Sequence, residues 1–134
     1  MKLLFLFFSL CISVLQARSQ TATDTMKIGS ATYIHSYTVN DHGYVHARIT
    51  QDSVLTVFDS LGNMVDYPVL RWTFSMTRKG TYCEVKMRGK ILSMKCRKWI
   101  EEQPATGWIC IEGVVVQMPD GTERTLVGEK WVKI

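Results

Sequence analysis

The chain has 134 residues, 46% apolar and 21% charged, with nine glycines and three prolines. That balance excludes a disordered, collagenous or low-complexity protein, and the length allows one domain but not a second of useful size. The formal charge of +4 is too small to identify a partner by itself.

Lys2 precedes an apolar run from Leu3 to Leu15, and small or polar residues follow from Gln16. This is the pattern of a secretory signal peptide. The run is too short for the roughly 20 apolar residues of a membrane-spanning helix, so no transmembrane anchor is expected after cleavage. Of two credible cleavage positions, after Ala17 and after Ser19, the second is preferred, with Ala17 three positions back. This gives a signal peptide at 1–19 and a single β-rich domain at 20–134. Removing Lys2 and Arg18 with the signal lowers the net charge from +4 to +2.

The remainder reads mostly as strand. Tyr33 to Val39 and Tyr44 to Thr50 flank Asn40-Asp41-His42-Gly43, a cluster of turn formers, and together they predict a hairpin. Ser53 to Asp59 predicts another strand, closed by the turn at Leu61-Gly62-Asn63. Leu70, Trp72, Phe74 and Met76 then alternate with polar neighbours in the two-residue repeat of a half-buried strand. Arg78-Lys79-Gly80 turns into a second strand, Thr81 to Met87, with Cys83, Val85 and Met87 on its apolar face. After Gly89, the apolar residues Leu92, Cys96, Trp99 and Ile100 fall at i, i+4, i+7 and i+8, which predicts an amphipathic helix over about 92–102. Ser93 or a neighbour caps its start, and Pro104 and Gly107 close it. Trp108 to Gln117, the turn Pro119-Asp120-Gly121 and a final strand from Thr122 to Ile134 complete the chain. One helix among many strands predicts a mainly β fold: a single two-layer antiparallel β-sandwich, Ig-like or related, with the helix packed on the sheet.

Few residues advertise chemistry. His35, His42 and His46 fall on or beside the first predicted hairpin, where alternation puts His35, Tyr37, Tyr44, His46 and Arg48 on one face. A small secreted metal- or ligand-binding β protein, or an enzyme with its site there, is the alternative reading. The spacing is loose for zinc, however, and Arg48 opposes a cation, so a solvated polar and aromatic face is preferred. No nucleophile motif, carboxylate pair or phosphate-binding glycine loop is present, so no catalytic residue and no cofactor is expected. Export leaves Cys83, Cys96 and Cys110, an odd number that admits at most one internal disulfide. Cys83 with Cys96 is the pair that a helix lying over the sheet could bring together.

Charge is unevenly spread. Arg78, Lys79, Lys86, Arg88, Lys90, Lys95, Arg97 and Lys98 stand against Glu84 alone, so residues 78 to 98 carry +7. The hairpin and helix surfaces that hold them are the candidate binding face for an anionic partner. Export and the lack of a reading motif argue against nucleic acid.

From Pro68 to Ile134 the chain resembles the C-terminal domain of the gliding-motility and type IX secretion protein family GldM (PorM). The features that match are an ordered set. They begin with the alternating strand Val69 to Met76, a glycine turn and a second strand closing at Arg88-Gly89. The helix from Ser93 and the run Gly107-Trp108-Ile109-Cys110-Ile111-Glu112 follow. The most specific part is the ending, Met118-Pro119-Asp120-Gly121-Thr122-Glu123-Arg124-Thr125-Leu126, with Lys133-Ile134 last. The segment from Lys27 to Asp66 matches only loosely. The resemblance implies a compact β-rich domain with one helix whose role is contact with other proteins, and it implies no catalytic or metal-binding residue. With a cleavable signal where the family has a membrane anchor, the expectation is a stand-alone periplasmic or outer-envelope module. Its partner would be a cell-envelope protein, including those of the type IX secretion apparatus.

Overall fold

A computed structural model of the chain describes residues 21–38, 45–59 and 61–134. The expected signal segment at 1–19 and the expected turn holding His42 lie outside the described residues. The rest is mainly β, with two antiparallel sheets and one helix, as the alternation of apolar residues predicts.

The larger sheet runs in the order β1 (Thr21–Ile28), β2 (Ala31–Thr38), β10 (Glu129–Lys133), β8 (Trp108–Gln117), β6 (Val69–Arg78), β7 (Thr81–Arg88), with β9 (Glu123–Thr125) pairing on β8. The smaller sheet is β3 (His46–Ile49), β4 (Leu55–Phe58), β5 (Met64–Val65). The single helix, α1 (Met94–Glu102), follows β7. Three features differ from the sequence reading. β1 and the two-residue β5 are additional strands. The expected final strand is two pieces, β9 and β10, parted where Leu126 turns into the core and its N–H donates to the Val114 carbonyl at 2.8 Å. The expected hairpin of His35 and His46 does not form: β2 pairs β1 and β10, while β3 pairs β4 in the other sheet. Each strand satisfies its own alternation better this way, because the apolar faces of both sheets can then meet.

They do meet. Met26, Ile28, Tyr33, Phe74, Met76, Ile109, Ile111 and Trp131 from the large sheet share one core with Ala47, Ile49, Leu55 and Val57 of the small sheet. Leu92, Cys96 and Ile100 of the helix segment belong to the same cluster. Burying each large apolar side chain contributes about 1.5–3 kcal/mol. The helix begins where Ser93 accepts the Cys96 N–H on its Oγ at 3.2 Å, an N-cap that satisfies an otherwise unpaired donor.

The C-terminal end of α1 is seated on the sheet. Tyr33 Oη donates to the Ile100 carbonyl at 2.8 Å and lies 2.9 Å from Gln103 Oε1, while Gln103 Nε2 donates to the Trp108 carbonyl at 2.9 Å. Lys133 Nζ donates to the carbonyls of Glu101, at 3.0 Å, and Gln103. The β1–β2 turn allows the approach because its residue is glycine: at Gly29 (φ 58°) a Cβ would collide with the Glu101 carboxylate.

Tyr33→Phe keeps the ring but removes the one proton that lies between two buried acceptors, and should lower stability by about 1–3 kcal/mol. Urea unfolding checks this: the midpoint should fall with the slope unchanged.

Candidate protein-binding surface

The β6–β7 hairpin turns on two residues, Lys79 (φ 48°) and Gly80 (φ 78°), between the paired residues Arg78 and Thr81. Both central residues have positive φ, as in the tight turns whose twist matches that of the strands, and Gly80 takes that conformation without steric cost. The register then sorts the side chains. Met87, Val85 and Cys83 lie opposite Trp72, Phe74 and Met76 on the inner face. Arg88, Lys86, Glu84 and Tyr82 lie opposite Arg71, Thr73, Ser75 and Thr77 on the outer face. Lys86 and Arg88 are exposed there. Arg71, across from Arg88, pairs with Glu123 at 3.1 Å, and Tyr82 Oη donates to Glu84 Oε2 at 3.0 Å.

The helix supplies a second group of cations. Trp99 is half-buried on the flank of α1 that meets the end of β6. The Arg78 guanidinium lies 4.4 Å from the centre of its ring and Lys95 Nζ lies 4.8 Å from it. Such contacts are worth about 0.5–1 kcal/mol each at exposed sites. Arg78 and Trp99, with Lys79 and Glu102, border a hollow of about 100 Å³. Arg97 and Lys98 pair along the helix with Glu101 at 3.4 Å and Glu102 at 3.9 Å, contacts that hold exposed charges only weakly.

The eight cations of the sequence reading therefore fall into separate groups. Arg78, Lys79 and Lys95 gather around Trp99 and the hairpin tip, with Arg97 and Lys98 along the same helix. Lys86 and Arg88 occupy the outer face of the sheet. Lys90 stands apart, beside a groove of about 600 Å³ lined also by Asp52, Leu55, Val57, Met64 and Tyr67. Trp99, read from the sequence as part of the apolar stripe, packs against the core and is also the plate on which the hairpin and helix cations meet.

His46 does not lie on a solvated face, and His35 is half-buried. His46 is buried, with Nε2 3.1 Å from Asp24 Oδ2, and its ring stacks on Phe58 with centroids 5.9 Å apart. Arg48 reaches the same carboxylate at 3.9 Å and lies 4.2 Å above the Phe58 ring. His35 Nδ1 is 2.8 Å from the Lys130 carbonyl, with its ring against Trp131. His42 is outside the described residues. Among the described residues, no three His, Cys, Asp or Glu side chains are placed to hold a metal ion. Asp24 was missed because its strand was missed, although Ala22, Asp24, Met26 and Ile28 alternate with Thr21, Thr23, Thr25 and Lys27.

Cys83, Cys96 and Cys110 are free thiols, so the Cys83–Cys96 bridge that the sequence admits is not formed. Cys96 is sealed in the core, while Cys83 points along its own strand, with Sγ 3.6 Å from the Thr81 carbonyl. Burial pushes the Cys96 and Cys110 thiols above the usual range, and Glu112 adds to the rise at Cys110. Such thiols are poor nucleophiles.

No protein-family model matches the chain, and no curated protein or solved structure is significantly similar to it.

Burial lowers the pKa of His46 below its ordinary 6.5, outweighing the opposing pull of the Asp24 carboxylate, and Arg48 lowers it further. As pH falls, the unfolded chain therefore takes up this proton first. The folded state should be most favoured above about pH 6.5 and lose stability below it, by at most about 1.4 kcal/mol per pH unit for one proton. Urea midpoints between pH 7.5 and 5 should decline less steeply in His46→Gln than in the native sequence; equal slopes would assign the decline to other groups.

Proposed function

We propose that this chain is an exported, non-enzymatic protein-binding module of the cell envelope, acting in the periplasm or at the outer envelope. Its partner is another envelope protein, and the resemblance of Pro68 to Ile134 to the GldM C-terminal domain directs attention to the type IX secretion apparatus. The mainly β fold with a single helix is compatible with that resemblance.

One observation carries the reading. The stretch from 78 to 98 has eight cations and one acid, and the side chains of Lys79, Lys86, Arg88, Lys95 and Lys98 are exposed. A surface of this kind attracts an acidic partner over the range of the Debye length, about 8 Å at physiological ionic strength, and loses that attraction as salt is added. The apolar side chains of the same hairpin and helix are mostly spent on the core, which leaves charge as the main selector.

Affinity capture from the native envelope tests this. The mature protein should retain an envelope protein at low salt and release it at high salt. The combined variant Lys86→Glu, Arg88→Glu, Lys95→Glu, Lys98→Glu should lose it. Unchanged capture by that variant would remove the basic surface from the account.

A further inference from the structure

Among the described residues, β7 is the last strand of the large sheet and is hydrogen-bonded to β6 alone. The Gly89 N–H donates to the Leu70 carbonyl at 3.1 Å, and the Arg78–Thr81 pair closes a two-residue turn. In an antiparallel ladder, residues that bond to the neighbouring strand alternate with residues whose N–H and C=O point away from it. Thr81, Cys83, Val85, Met87 and Gly89 are the residues bonded to β6. The N–H and C=O groups of Tyr82, Glu84, Lys86 and Arg88 therefore face the open edge. These same four residues carry the outer-face side chains, so free backbone groups and Lys86 and Arg88 coincide along one eight-residue strand.

We infer that this edge takes up an acidic, extended segment of the partner protein as an additional strand beside β7. The inference rests on the binding-module reading and names how the partner is held. Backbone bonds to Tyr82, Glu84, Lys86 and Arg88 supply affinity, as in other strand-addition complexes. Acids at alternate positions of the incoming strand come opposite Lys86 and Arg88, where unlike charges favour pairing and like charges oppose it. Lys79 at the hairpin tip and Lys95 on the neighbouring helix extend the same preference past the strand. Lysine on an exposed edge discourages indiscriminate strand pairing, and an acidic segment is the kind that this deterrent admits.

The test uses the mature protein and a labelled synthetic peptide of about eight residues, a common strand length, alternating Val with Glu. Its counterpart alternates Val with Lys. Fluorescence anisotropy should show binding of the Glu peptide only, with slowed hydrogen exchange at the amides of Tyr82, Glu84, Lys86 and Arg88. Glu84→Pro separates backbone pairing from charge. It removes an N–H that faces the open edge rather than β6, and it also makes the surface more basic. Strand addition expects affinity to fall by about tenfold or more, equivalent to about 1.4 kcal/mol. Charge attraction alone expects equal or tighter binding. Glu84→Gln keeps the N–H and should bind at least as well as the native protein.

Binding undiminished by Glu84→Pro, equal binding of the Lys peptide, unprotected edge amides in the native protein, or a dimer joined through β7 would each overturn the proposal. The amide measurement needs no variant, so it stands even where the proline variant fails to fold. Loss of envelope capture on charge reversal, with capture retained by Glu84→Pro, would sink strand addition and leave the binding-module reading intact. Capture indifferent to charge reversal would sink that reading itself.

Discussion

Tyr33 of β2 and Lys133 of β10 take the carbonyls of Ile100, Glu101 and Gln103 at the end of α1. A helix leaves its last four carbonyls without partners of its own, and here two neighbouring strands provide them. The cation is also favourably placed against the negative end of the helix dipole. Sliding the helix along the sheet would break these bonds in a buried setting, where an unmet polar group costs about 1–3 kcal/mol. The helix is thereby fixed in position as well as buried. Trp99, just before the anchored turn, is held against Arg78 for that reason, and the hairpin and helix present their cations as one rigid arrangement.

The charges themselves are laid out by simple periodicities. Alternation along β7 sends Lys86 and Arg88 to the face away from the core, because Val85 and Met87 occupy the other face. The helical repeat brings Lys95 and Trp99 together four residues apart, and the cap at Ser93 sets where that repeat begins. No single cation is costly to place. Their combined effect comes from their number, since Arg97 and Lys98 are offset by the half-buried Glu101 and the exposed Glu102.

Local order was readable in the sequence wherever it depended on nearby residues. Leu70 to Met87 shows the hairpin plainly because its alternation is regular and its turn contains Gly80. The helix is visible from the spacing of Leu92, Cys96 and Ile100. The histidine region misled because each strand alternates correctly, but its pairing partner lies far away in the chain: Tyr33 is opposite Lys133 and Ile34 is opposite Val132. Proximity suggested that β2 should fold onto β3, yet both strands had distant apolar faces to satisfy. β1 escaped notice because Asp24 stands at an inward position, where an apolar residue would complete the pattern. Its reason for being there, the contact with His46, is itself a product of the tertiary fold. The candidate surface was legible as a run of positive charge, whereas its division into an outer sheet face and a Trp99 cluster required the register.

β10 lies in the middle of the large sheet, between β2 and β8, although it is among the last residues of the sequence. Until Glu129 to Lys133 are in place, β1–β2 and β6–β8 remain two half-sheets with raw inner edges. Assembly of the large sheet must therefore wait for β10, and such distant pairings are slow to find. Clipping the chain's tail would split the sheet down the centre rather than fray a border.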